Sequence, residues 1–274
     1  MAAPLLAVRD LEVAFPAGRG WTPVVRGVSL DVGRGEVVGL VGESGSGKTL
    51  TALALLGLIP PPGRVTAGGA SLAGREPSAA PVDLLRLGAR GLRTVRGARI
   101  GLVFQEPATA FDPVYSIGFQ IAEAVRAHRR LSRRDARDEA VRLLDRVALA
   151  DARRRLDDYP HQLSGGQRQR AMIAMALAGG PDLLLADEPT TALDVTLQAQ
   201  ILELLDELRR DLGLAVLLIT HDLGVVAETC DRVVVMHAGR VVETAAVDEL
   251  FRAPAHPYTR ELLAAVPRLA AEGP

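Results

Sequence analysis

Strand-like and helix-like segments alternate along most of this chain, which predicts an α/β fold: a largely parallel sheet with helices on both faces. Three observations carry that prediction. Short apolar runs, EVVGLVG (36–42), DLLLAD (182–187) and LAVLLIT (214–220), have the length and composition of strands buried on both faces. The first runs through a glycine-rich loop into an apolar helix, and an amphipathic helix (196–212) stands between the other two. Two stretches depart from the alternation, an opening third rich in strands and an Arg-rich helical segment from about 115 to 160, so both read as additions to the core.

Taken in order, LLAVRDLEVAF (5–15) and VVRGVSLDV (24–32) alternate as half-buried strands do. EVVGLVG is a buried strand, and TLTALALLGLI (49–59) is a helix ended by Pro60, Pro61 and Pro62. A weak strand follows near 64–73. Ser132 and Asp135 have capping-box spacing before RRDARDEAVRLLDRVAL. After 165 the alternation returns, and DRVVVMHAGRVVET reads as a hairpin turning at Ala238-Gly239. From 246 onward the pattern is two short helices split by Pro254 and Pro257.

Of the 274 residues, 48% are hydrophobic and 24% charged, proportions that suit one large globular domain or a core with inserts. Aromatic residues make up 3%, so the core is built from Leu, Val, Ile and Ala. A net charge of -1 gives no basic excess, and no nucleic-acid partner is expected. The single cysteine, Cys230, excludes a disulfide framework, argues against a cysteine metal site and fits a reducing cytosol. The N-terminus lacks the pattern of a signal peptide, and no run approaches the roughly 18 apolar residues of a spanning helix. The expectation is a chain that is soluble or held at a membrane through protein contacts.

Lys48 is the only lysine; every other one of the 32 Lys and Arg residues is Arg, and Asn is absent. Such a bias suits a GC-rich coding sequence that replaces Lys wherever chemistry permits. A lysine is a compact charge on a flexible stem, whereas Arg is a rigid fork, so position 48 requires the former.

That lysine lies in Gly42-Glu43-Ser44-Gly45-Ser46-Gly47-Lys48-Thr49, which fits G-x-x-x-x-G-K-[ST] between a strand and a helix. Glycines let successive N–H groups converge on phosphate oxygens, and the helix N-terminus adds its positive end. Lys48 would reach the β- and γ-phosphates and the Thr49 hydroxyl would bind Mg²⁺. A glycine-rich turn is the plain alternative; the flanking elements and the lone lysine argue against it. At the end of LLLADE, Asp187 would hold the Mg²⁺ shell and Glu188 would orient the attacking water. Alone, such a pair is as often a helix cap; with the phosphate loop it reads as catalytic. Ser164-Gly165-Gly166-Gln167 precedes a clear helix and forms a second anion site about 115 residues after the first. One nucleotide cannot use both within a compact fold, so the second loop serves a nucleotide held by a neighbouring subunit.

Leu163-Ser164-Gly165-Gly166-Gln167, together with GESGSGKT, LLLADEP and His221, resembles the nucleotide-binding domain of ABC transporters over essentially the whole chain. The resemblance implies a P-loop NTPase (RecA-like) core at 36–60, 99–105 and 165–245. It adds an antiparallel β subdomain at 1–35 and 64–98, a helical subdomain at 106–164 and a helical tail at 246–274. It implies ATP and Mg²⁺ as cofactors, and a head-to-tail pair of subunits with each ATP between one phosphate loop and the other's Ser164–Gln167. Phe15 lies where the family stacks an aromatic on adenine, with Trp21 as the competing candidate. Gln105 matches the glutamine that touches Mg²⁺ and the water, Asp194 the loop that crosses the dimer interface, and His221 the histidine at the γ-phosphate. The other histidines, His128, His161, His237 and His256, read as structural or surface residues.

FQEPATAFDPVYSIGFQIAEA (104–124), YPHQLSGGQRQRAMIAMAL (159–177) and HPYTRELLAAVPR (256–268) resemble the peptide/nickel importer branch. Asp112 replaces the branch's usual Asn and keeps its turn chemistry. The resemblance implies an ATPase at the cytoplasmic face of a bacterial membrane, working with two permease subunits and, indirectly, an extracytoplasmic binding protein. Di- or oligopeptides, nickel and metal chelates stay open as cargo, as does an identical or paralogous partner ATPase. An exporter ATPase and a soluble ATPase acting on nucleic acid or ribosomes are the alternatives. The HPYT segment argues against the first; the absence of tandem nucleotide domains and coiled-coil inserts argues against the second.

Overall fold

The computed structural model describes residues 3–76, 78–191 and 193–265. The chain opens with β1 (Leu6–Ala17), β2 (Gly20–Val32), β3 (Val37–Val41), α1 (Lys48–Leu55), β4 (Arg64–Leu72), β5 (Val82–Asp83), α2 (Ala89–Val95) and β6 (Ile100–Val103). A helical stretch follows: α3 (Pro107–Ala110), α4 (Ile117–His128), α5 (Arg133–Arg146), α6 (Ala152–Arg155) and α7 (Gly165–Ala176). Then come β7 (Leu183–Asp187), α8 (Val195–Leu212), β8 (Ala215–Thr220), α9 (Leu223–Thr229), β9 (Arg232–His237), β10 (Arg240–Ala246), α10 (Val247–Arg252) and α11 (Pro257–Ala264).

The strands form two sheets. One is four-stranded and antiparallel, in the order β2-β1-β4-β5. The other is six-stranded, in the order β10-β9-β3-β8-β7-β6, parallel throughout except for the β9–β10 hairpin. Every residue of β3, β7 and β8 is buried, as their unbroken apolar runs require of strands covered on both faces. Side-chain alternation sorts them between two cores. Leu184, Ala186, Val216 and Leu218 pack with Ile117, Ile121 and Leu144 of the helical stretch. Leu183, Leu185, Leu217 and Ile219 pack with Leu55 and with Leu6, Val13 and Val28 of the antiparallel sheet.

Register fixes where function can be placed. Val41 stands opposite Thr220, Asp187 opposite Ile219 and Val103 opposite Ala186. The segments that follow these residues therefore leave the sheet along one edge, the carboxyl end of parallel strands where α/β folds bind ligands.

Local chemistry sets the helix ends. The Ser132 hydroxyl accepts from Asp135 N at 3.2 Å and donates to the Asp135 carboxylate at 2.7 Å, as the spacing predicts. The Asp112 carboxylate accepts from Val114 N at 3.1 Å, the turn expected of Asp at that place. Helix α1 ends earlier than Pro60–Pro62 require, a correction to the reading of 49–59 as one helix. The Leu56 and Gly57 amides fold back onto Leu53 and Ala54, and Gly57 takes φ 59°, closing the helix before the prolines. Helix α11 begins at Pro257, yet its cap is His256, whose Nδ1 accepts from Tyr258 N at 3.2 Å. The last part of the tail, 266–274, including Arg268, lies outside the described residues. Among the described residues no helix is long and apolar enough to cross a membrane.

Candidate functional site

The loop between β3 and α1 is built around two glycines. Gly42 sits at φ 148°, and a β-carbon there would lie 2.1 Å from the Met236 carbonyl oxygen, so any other residue would have to displace β9. Gly47, at φ 100°, is the residue from which α1 starts. Lys48 folds back over the loop, and its Nζ donates to the carbonyls of Gly42 (2.7 Å) and Glu43 (2.9 Å). The side chain is only 5% exposed. Burial pulls its pKa below the usual lysine value, against the raising influence of the Glu188 and Asp187 charges. The Ser46 hydroxyl is buried without a hydrogen-bond partner among the described residues.

Across the loop, the Thr49 hydroxyl donates to Asp187 Oδ1 at 3.1 Å. Burial raises the Asp187 carboxyl above its ordinary range, an effect that Thr49 and Lys48 oppose. Glu188, the residue after β7, is held at φ 46° while its N–H donates to Ile219 O at 2.8 Å. Its Oε1 lies 3.1 Å from His221 Nδ1. Its Oε2 accepts from Thr191 Oγ1 (2.8 Å) and Gln105 Nε2 (3.0 Å). Burial pushes this carboxyl up, but the hydrogen bonds from Thr191 and His221 with the charges of His221 and Lys48 prevail, so it rests below the usual glutamate range.

Lys48, Thr49, Gln105 and Glu188 open onto one cleft, lined also by Val24 and Gly45, while Asp187, Thr191 and His221 stand behind it, joined to Thr49 or Glu188. Sequence reading anticipated most of them. It missed Thr191, whose N–H turns back onto Glu188 O at 3.1 Å and brings its hydroxyl to the carboxylate. The signal was available in the second Thr of DEPTT. It also missed Val24, whose place on β2 carries no chemical mark.

Other predicted residues lie elsewhere. Ser164 caps α7 through a reciprocal pair: its hydroxyl accepts from Gln167 N (3.3 Å) while Gln167 Oε1 accepts from Ser164 N (2.9 Å). Gly165 and Gly166 form the first turn, where a β-carbon on Gly166 would meet Leu197 of α8 at 3.1 Å. Asp194 caps α8, accepting from Leu197 N at 2.9 Å, and the neighbouring Val195 is 85% exposed. None of Ser164, Gly165, Gly166, Gln167 or Asp194 lines the Lys48 cleft. Phe15 is half-buried and stands against Gly63 and the second core. Trp21 is exposed, with the Arg64 guanidinium 3.8 Å from its ring centre. Neither ring lines the cleft.

The ABC transporter family model matches residues 25–191, and the model described as "Oligopeptide/dipeptide transporter, C-terminal region" matches residues 242–274. A probable peptide ABC transporter ATP-binding protein of Sinorhizobium fredii is 54% identical over 96% of this chain and 77% of its own length. The glutathione import ATP-binding protein GsiA of Pectobacterium atrosepticum is 53% identical over 97% of this chain, which spans 42% of that longer protein. Among solved structures, the post-hydrolysis dimer of the ATP-binding cassette MJ0796 bound to ADP and Pi superposes with a TM-score of 0.77 at 27% identity, covering 88% of this chain and 98% of that one. The cbiO1 protein of Clostridium perfringens, part of the ABC transporter complex cbiONQ, gives 0.75 at 27% identity over 97% and 96%. The chain thus belongs to the ABC transporter family, and the cassette it forms binds and hydrolyses ATP.

Proposed function

We propose that this chain is the ATP-hydrolysing subunit of an importer for small peptides, working with separate membrane-spanning permeases. The observation that carries the reading is the cleft in which Lys48, Thr49, Gln105 and Glu188 meet at the carboxyl edge of the parallel sheet. The importer branch and the peptide cargo are supported by the match of 242–274 to a peptide-transporter region and by relatives named for peptide and glutathione import.

In the proposed mechanism the N–H groups of 44–49 and the start of α1 cradle the phosphates. Lys48 leaves its two carbonyls for the β- and γ-phosphates, a move its flexible stem permits. The exposed Thr49 hydroxyl and the buried Asp187 carboxylate, with Gln105 beside them, offer the hard oxygen donors that suit Mg²⁺, which binds through one or two carboxylates plus phosphate oxygens. When bound, Mg²⁺ would neutralise phosphate charge. Glu188, fixed by Thr191, Gln105 and His221, orients the water that attacks the γ-phosphorus, and His221 sits beside it toward the γ-phosphate.

With Ser164 and Gln167 capping one another, the Gly165 and Gly166 N–H groups stay open to an anion outside this chain's own cleft, so the Ser164–Gln167 turn serves the ATP of a second, head-to-tail subunit. Asp194 and the exposed Val195 beside it face that partner. Phe15 and Trp21 remain the two candidates for stacking on adenine. The subunit regions are those drawn from the sequence: a β subdomain at 1–35 and 64–98, a core at 36–60, 99–105 and 165–245, a helical subdomain at 106–164 facing the permease, and a helical tail at 246–274. The chain would lie at the cytoplasmic face of the membrane, and an extracytoplasmic binding protein would deliver cargo.

A mild-detergent purification of the tagged chain from its native membrane, read by mass spectrometry, tests this. Co-purification of two multi-spanning permeases is expected. Recovery with ribosomal or DNA-bound partners, and without permeases, would sink the transport reading while leaving the ATPase standing.

A further inference from the structure

The tail motif His256-Pro257-Tyr258-Thr259 reaches the phosphate loop. Both carboxylate oxygens of Glu243, on β10, accept from the tail, one from Ala255 N (2.8 Å) and one from His256 N (3.0 Å). That clamp seats the start of α11 against the hairpin. The Tyr258 ring then lies on the His237 imidazole, centroids 4.0 Å apart, at the end of β9. From there the Tyr258 hydroxyl accepts the N–H of Glu43 at 3.1 Å.

The amide it touches belongs to a peptide plane with two roles. The N–H of Glu43 and the C=O of Gly42 are the two poles of one peptide unit. Its carbonyl accepts from Lys48 Nζ at 2.7 Å while its N–H is taken by Tyr258. With its N–H held by the tyrosine, this peptide is already fixed before ATP arrives, which lowers the ordering cost of binding. The plane also benefits from such a fixture: Gly42, like Gly45 and Gly47 in the same loop, has no β-carbon to restrict its torsions.

We infer that Tyr258 is a positioning residue for the phosphate loop: its hydroxyl fixes the Gly42–Glu43 peptide and so pre-orders the loop, and the C-terminal helix thereby sets how readily the site takes up ATP. The inference rests on the reading of 42–49 as the phosphate-binding loop. Tyr258 hydrogen-bonds none of Gln105, Glu188 or His221, the groups around the proposed water. Its effect therefore falls on nucleotide affinity and KM and leaves the hydrolytic step alone.

Tyr258→Phe keeps the ring on His237 and removes only the acceptor. The full chain is titrated with ATP by calorimetry, and its ATPase is followed against ATP concentration. The expected result is an ATP affinity weakened about two- to tenfold, the range of one net hydrogen bond, with KM raised to match and kcat unchanged. Leu262→Ala serves as the second variant, since it loosens the packing of α11 but spares the hydroxyl. It is expected to lower the thermal midpoint without a comparable loss of ATP affinity. Wild-type affinity in Tyr258→Phe, a fall in kcat at constant KM, or equal weakening by Leu262→Ala would each overturn the inference. Lys48→Ala separates the two levels. If it binds ATP like wild type, the phosphate-loop reading falls and this inference with it. If it loses binding while Tyr258→Phe does not, the inference alone falls.

Discussion

Glu188 Oε1 and His221 Nδ1 lie 3.1 Å apart, at the ends of two adjacent parallel strands. The pairing follows from register: Asp187 stands opposite Ile219, so the residue after β7 and the residue after β8 emerge side by side. The second carboxylate oxygen is engaged by Thr191 and Gln105. Glu188 is thus held from three elements, in a strained left-handed conformation that the Ile219 carbonyl helps to fix.

Thr191→Val removes the shorter of the two bonds on Oε2 and keeps the volume of the side chain. Turnover is expected to fall about tenfold, the value of one hydrogen bond to a charged group, with ATP affinity unchanged. Steady-state ATPase beside an ATP titration checks this, and an unaltered kcat would remove Thr191 from the site's machinery.

Lys48→Arg conserves charge but not shape. The ammonium is 5% exposed and rests on two carbonyls of its own loop. A guanidinium fork cannot occupy that space without opening the loop. ATP affinity is expected to drop at least about tenfold, a loss of roughly 1.4 kcal/mol. Equal affinity in the variant would contradict the explanation of why a single lysine stands in a chain otherwise confined to Arg.

Asp187→Asn should stabilise the nucleotide-free chain. Burial raises the Asp187 pKa above its ordinary value of 3.8, so the folded chain holds this proton to higher pH than the unfolded chain does. Stability contributed by the group therefore declines as pH rises from 3.8 through the folded pKa, and the penalty is complete above it. Asparagine carries no such penalty. Thermal denaturation at several pH values should show a gain at pH 7 that disappears below 3.8. A variant less stable than wild type at pH 7 would contradict the sign.

Much of the fold was legible because buried parallel strands leave unbroken apolar runs: β3, β7 and β8 fall within a residue or two of their predicted places. The end of α1 was not, since Pro60–Pro62 are the louder signal and Gly57, which stops the helix, is the quieter one. That Lys48, Asp187, Glu188 and His221 converge at one edge of the sheet was legible from motifs, which the chain places at the ends of its strands. Thr191, Val24 and Tyr258 were not, because their contribution depends on which backbone or carboxylate they meet after folding. The HPYT segment was recognised as a signature and read as a helix end; its hydrogen bond to Glu43 spans 215 positions, and no local pattern records such a contact.

Ser164→Arg tests the shared site. None of Ser164–Gln167 lines the Lys48 cleft, so a bulky cation there should spare ATP binding to the isolated chain. In a Glu188→Gln background, where hydrolysis no longer dissolves the closed state, ATP should double the mass of the chain, and adding Ser164→Arg should abolish that doubling. Light scattering with and without ATP reads both. Dimerisation that survives the arginine would rule against a site completed by a neighbouring subunit.

The most direct measurement is the ATP affinity and the single-turnover hydrolysis rate of Glu188→Gln beside wild type. The amide keeps the size of the side chain and its Thr191 contact but loses the negative charge that orients and polarises water. Affinity within about twofold of wild type, with hydrolysis slowed at least about a hundredfold, is the predicted result. Hydrolysis near the wild-type rate would contradict the assignment of Glu188, and with it the chemistry drawn from this cleft.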